Sequence, residues 1–139
     1  MSGLAAVLAG RHQPGVHHWH NPALHVPDVQ HAVEHAGWQF GYVDGVALET
    51  KSEVLGAIGA ALDFPAHYGG NVDALRDCLR DMSAPTVLLW EGWGSLARAE
   101  PKAFDKICRA LARHDDDGDP AFEVLLRGPG PETGMESLD

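Results

Sequence analysis

The run Thr86-Val87-Leu88-Leu89-Trp90 carries no charge and no chain breaker. A strand apolar at every position has to be covered on both faces, the situation of a strand in a parallel sheet flanked by helices. Phe122–Leu126 is a further apolar run, and Trp38–Val43 alternates with an aromatic bias, again the pattern of a strand. Helical patterns separate the three. Parallel neighbours need crossovers of that length, so the sequence predicts an α/β fold with a small parallel sheet and right-handed crossovers. A chain of 139 residues is long enough for one such core.

Capping chemistry marks the helix boundaries. Thr50-Lys51-Ser52-Glu53 is a capping box, in which the Thr50 hydroxyl accepts from the Glu53 N–H and Glu53 reaches back. Val54, Leu55, Ile58, Ala61 and Leu62 then form one apolar stripe, ended by Pro65. Gly56 and Gly59 lower the helicity of that segment by about 0.8–1.0 kcal/mol each relative to alanine. Close packing against another element would account for them. Pro101 suits the first position of a later helix, whose core face is Phe104, Ile107, Cys108 and Leu111 and whose end falls near His114. Glu91–Ser95 is a loop leading into a helical turn. Asp115–Pro120 lacks the ligand spacing and closing glutamate of a calcium loop and is expected to be a solvated turn.

Residues 1–37 come before the first of these strands, Trp38–Val43. Leu4–Ala9 and Val16–His20 suggest two short strands, as a hairpin or an arm. Asp28 is the expected cap of a helix over Val29–His35 that closes at Gly37. Five of the nine histidines lie between His12 and His25, and His31 and His35 stand four apart. No HExxH motif or cysteine pair accompanies them, so they are expected to titrate near neutral pH without holding a metal. The apolar opening lacks a basic flank and is expected to be structure and not a signal peptide. Residues 128–139 carry proline and glycine, have little to bury and are expected to be disordered.

Phe64–Met82 carries the chemistry. Asn71 follows the loop His67-Tyr68-Gly69-Gly70 and is placed to cap a helix. Asp73 falls in the first turn, where the helix dipole favours a carboxylate. At 100° per residue, Val72, Leu75, Cys78, Leu79 and Met82 share one face. Asp73, Asp77 and Asp81 run down the other, with Arg76 and Arg80 between them. Such a face is either a solvated surface or an acidic docking surface. Formal net charge is −10, from twenty acidic and ten basic residues. That balance argues against a nucleic-acid groove and suits a partner with a positive surface.

The stretch from Phe64 to Leu79 resembles the signature of barstar-type ribonuclease inhibitors. The likeness runs apolar-Pro-x-aromatic-Tyr-Gly-x-Asn-x-Asp-Ala-Leu-x-Asp-Cys-Leu, without a gap. Pro85–Trp90 resembles the family's second strand, and the resemblance covers residues 38–127. It implies a three-stranded parallel sheet packed with about four helices, to which residues 1–37 would be an amino-terminal extension. It also implies a cytoplasmic inhibitor that blocks the active site of a secreted guanyl-specific ribonuclease. Asp77 would stand where the enzyme holds a phosphate, and Asp73 would meet a second basic or backbone donor. His67 and Tyr68 would supply loop contacts, and Asn71 would hold the helix start. His67 replaces a residue that is often Tyr, which makes binding sensitive to pH. Arg76 replaces the founding member's Trp, which suits a less basic enzyme.

No catalytic residue, cofactor or metal is expected. Both cysteines fall on apolar faces, away from a base that could activate them. No run is long enough to span a membrane. Two alternatives stand beside the inhibitor: an immunity or binding module for another toxin nuclease, and a histidine-rich metal-binding regulatory domain.

Overall fold

The computed structural model describes residues 3–65, 68–112 and 120–138. Its elements are α1 (Gly3–Leu8), β1 (Val16–His18), α2 (Val26–His35), β2 (Gln39–Asp44), α3 (Lys51–Ala61), α4 (Val72–Arg80), β3 (Thr86–Glu91), α5 (Gly94–Ala99), α6 (Pro101–Ala112) and β4 (Phe122–Arg127). The sheet has the order β1-β4-β3-β2, and every pairing is parallel.

The sheet therefore has four strands where three were expected. Three of them, β2, β3 and β4, lie within residues 38–127, together with α3 to α6. The fourth is β1, which pairs Val16–His18 with Val124–Leu126. A short strand is expected over Val16–His20 and forms over Val16–His18, but in parallel pairing with β4 and not in a hairpin or a free arm. The extension is thus part of the sheet itself.

Two apolar layers cover the sheet. On one face α3, α4, α5 and α6 bury Val54, Leu55, Ile58, Leu75, Leu79, Leu96, Ile107 and Leu111 against Val43, Leu88, Trp90, Val124 and Leu126. On the other, Leu4 and Val7 of α1 and Val29 and Val33 of α2 pack with Trp19, Val87, Leu89, Leu125 and Leu138. Val87, Leu88, Leu89 and Trp90 are each 0% exposed, which is why β3 tolerates no polar residue between its ends. Each side chain of this kind contributes about 1.5–3 kcal/mol on burial.

Three expectations about the ends are corrected. Leu4–Ala9 is helical and not a strand. A short apolar run is ambiguous by period alone, and its alanines favour a helix. The second helix starts at Val26, not Val29, with His25 in the cap position and Pro27 in the first turn. Proline fits there because those N–H groups have no intrahelical partner. The carboxyl-terminal residues, expected to be disordered, lie along β1. The His18 N–H donates to Glu136 O at 3.0 Å, the Leu138 N–H donates to His18 O at 2.8 Å, and Leu138 is buried.

The remaining boundaries fall close to expectation. Thr50 and Glu53 form the reciprocal capping box. β2 is shifted by one residue from Trp38–Val43, and β3 and β4 each extend one residue past the expected end. The helix from Pro101 is described to Ala112. The acidic turn expected over Asp115–Pro120 lies outside the described residues except for Pro120. Cys108 is buried and Cys78 is half-buried, and both are free thiols. No helix among the described residues is long and apolar enough to cross a membrane.

Candidate functional site

α4 is held by its cap and by its inner face. The Asn71 side chain accepts from the Ala74 N–H at 2.7 Å, leaving the backbone free to enter the helix in extended conformation at Asn71. Leu75 and Leu79 are buried against the core, and Val72 and Met82 pack beside them. The opposite face is thereby forced outward.

That outer face carries Asp73 and Asp77. Their side chains are 93% and 71% exposed, each facing an arginine three residues on at 3.4 Å. Exposed pairs of this length are worth about 0–1 kcal/mol, so both carboxylates can exchange their arginine for a stronger partner. Asp77 in particular has no other protein group to satisfy it among the contacts described. Arg76 differs from Arg80. Its side chain is half-buried, and its Nε is buried without a hydrogen-bond partner.

Cations from other helices join Arg76 beside α4, which the helix alone does not disclose. Lys51 of α3 and Lys106 of α6 join Asn71, Val72, Asp73 and Arg76 around a shallow hollow of about 340 Å³. Sequence reasoning missed both lysines because they come from helices far along the chain. One end of the α4 surface is therefore basic, and Asp77 lies on the helix turn beyond it.

Tyr68 anchors the loop before α4. Its hydroxyl donates to Leu55 O at 3.0 Å, and its ring meets Phe64 edge-on with centroids 5.1 Å apart. Burial pushes its pKa up to about 12. The ring lies on Gly59 of α3, where a β-carbon would come within 2.6 Å of it. Gly70 has a φ of +65°, a conformation that favours glycine and turns the chain into the Asn71 cap. Of the residues expected at the site, Asn71, Asp73, Arg76 and Asp77 share the α4 surface. Tyr68 is half-buried at the base of the loop, and His67 lies outside the described residues.

A larger hollow, about 800 Å³, opens where β1, β3 and β4 end and is lined by His18, Trp19, Trp93 and Arg127 among others. Carboxyl ends of parallel strands are where ligands of such sheets usually bind. Here Arg127, a buried cation, is already engaged. Arg127 Nε donates to Glu91 at 2.8 Å, and its Nη1 donates to the carbonyls of Asn21 at 2.9 Å and Leu24 at 2.6 Å. Its guanidinium also lies 5.2 Å from the centre of the Trp19 ring. Arg127 thus pins the 19–24 segment to the sheet.

Comparison with known proteins adds two findings. A family model described as Barstar (barnase inhibitor) matches residues 38–127. Among solved structures, the Aeropyrum pernix ORC2 protein in its ADPNP-ADP complexes is similar at a TM-score of 0.63 and 14% identity. The likeness covers 92% of this chain and 38% of that one, and at such identity it speaks to fold alone. No curated protein matches the chain.

Proposed function

The chain belongs to the barstar family, and from that premise we propose that it inhibits a secreted guanyl-specific ribonuclease by occupying its active site from the cytoplasmic side of its producer. The observation that carries this reading is the Asp77 carboxylate, 71% exposed on a capped helix and, among the described residues, held by a 3.4 Å pair with Arg80. A ribonuclease site converges cations on an anionic phosphodiester. A carboxylate fixed on a helix meets those cations with charge-assisted hydrogen bonds, and the fixing has already been accomplished by folding.

The other residues take supporting roles. Asp73 engages a second donor, and Asn71 holds the first turn of α4. His67 and Tyr68 form the loop side of the contact, with Tyr68 fixing its base. Arg76 and the neighbouring lysines disfavour a partner that is basic everywhere, because like charges across an interface are costly. The reading assigns the chain no catalytic step and no cofactor.

The test is a titration of the chain into a panel of guanyl-specific ribonucleases cleaving RNA. Activity should fall linearly to zero at one inhibitor per enzyme for the cognate member. Association should slow as salt is raised, since a net charge of −10 steers the encounter. No inhibition of any member, with stoichiometric capture of a different toxin nuclease, would move the chain to the immunity-protein reading.

A further inference from the structure

The extension and the tail meet around two histidines and a glutamate. His12 Nε2 lies 3.4 Å from Glu136 Oε1, and the His12 and His17 rings stand edge to face with centroids 5.0 Å apart. One ligand atom from each of His12, His17 and Glu136 falls within 4.8 Å of the other two.

The tautomers are set by the surroundings. His12 Nδ1 is 3.0 Å from the carbonyl of Gln13. A carbonyl can only accept, so Nδ1 carries a proton, and Nε2, 3.4 Å from the acceptor Oε1 of Glu136, is the nitrogen a metal ion would take in place of a proton. His17 Nδ1 stands 2.8 and 3.0 Å from the two oxygens of Glu123, whose side chain is fully buried. Glu123 is itself fixed by the Gly15 N–H at 2.9 Å. His17 therefore donates from Nδ1, and its Nε2 is the nitrogen available to a ligand. A histidine whose second nitrogen is held by a carboxylate or a carbonyl is the arrangement that orients imidazoles on metals.

We propose that His12, His17 and Glu136 bind a divalent zinc ion through two imidazole nitrogens and one carboxylate, clasping the amino-terminal loop and the carboxyl-terminal tail to the edge strand β1. Two nitrogens and an oxygen form a known three-ligand zinc set with a fourth position left for water. Bonds of about 2.0–2.1 Å at tetrahedral angles put ligand atoms about 3.4 Å apart. The His12–Glu136 separation already has that value. Closing the remainder moves His12 on a loop and Glu136 on the tail toward His17, which is fixed. The three ligands all lie outside 38–127, and Glu123 within it orients His17. His17 and Glu123 project on the sheet face covered by α1 and α2, opposite α4, so zinc binding and ribonuclease inhibition are separable.

Calorimetric titration of the full chain with zinc chloride tests this. Wild type should take up one zinc at micromolar affinity or tighter, and its melting temperature should rise with zinc. His12→Ala and Glu136→Gln alter exposed or half-exposed side chains, and without zinc both should melt like wild type. Each should weaken binding about 10-fold or more, at least the loss seen when an outer partner of a metal ligand is removed. A His31→Ala/His35→Ala variant should bind as wild type does. No uptake by wild type would overturn the proposal. So would unchanged affinity in His12→Ala and Glu136→Gln, or uptake that disappears with His31 and His35.

Discussion

The Tyr68 ring rests on the bare backbone of Gly59, where a methyl group would stand 2.6 Å from the ring. The loop that leads into α4 is thus fixed by a missing side chain on α3. Gly56, one turn earlier, is exposed and has nothing within 4 Å of where its β-carbon would be. The two glycines should therefore respond oppositely to alanine. Gly59→Ala overpacks the site and should cost about 1–3 kcal/mol, with weaker inhibition because the loop is displaced. Gly56→Ala should stabilise by about 0.5–1 kcal/mol, the helical penalty of glycine. Urea unfolding of both variants measures the difference, and equal shifts would contradict it.

Asn71 caps α4 with a 2.7 Å bond to the Ala74 N–H. Asn71→Ala should cost about 1 kcal/mol, whereas Asn71→Gly should cost only a few tenths. If the cap also positions Asp73, inhibition should fall in Asn71→Ala by more than its stability loss explains at saturating folded protein. Melts and inhibition titrations on the same samples check both.

The buried pair of His17 and Glu123 makes stability depend on pH. The hydrogen bond to Glu123 raises the His17 pKa above its ordinary 6.5 against the opposing effect of burial. A raised folded-state value means that the folded protein holds the proton more tightly than the unfolded chain. This stabilisation is fully present below pH 6.5 and is lost as pH rises through the elevated value. His18 has the opposite sign. Burial lowers its pKa, so its protonation costs stability as pH falls below 6.5. Zinc-free melts between pH 5 and 9 should show His17→Gln losing most relative to wild type at the acidic end. An equal loss at every pH would contradict the assignment.

Local chemistry made much of this structure readable in the sequence. The Thr50 capping box, the Asn71 cap and the uncharged run of β3 each depend on neighbours a few residues away. The α4 surface was legible for the same reason, because Asp73 and Asp77 follow from helical period once Leu75 and Leu79 turn inward. What escaped depends on distance along the chain. Lys51 and Lys106 reach the α4 surface only through packing. β1 owes its place to pairing with β4, and His17 meets Glu123 across 106 residues. Leu138 is buried because Trp19, Val29 and Leu125 provide a surface for it, which no composition rule for a glycine- and proline-bearing tail anticipates.

Asp77 decides the central claim. Its side chain is 71% exposed and among the described residues is paired with Arg80 at 3.4 Å, so Asp77→Ala should shift unfolding by no more than about 0.5 kcal/mol. Titrated against the cognate guanyl-specific ribonuclease, that variant is predicted to lose inhibition while Asp105→Ala, on α6, inhibits like wild type. Full inhibition by Asp77→Ala would contradict the account.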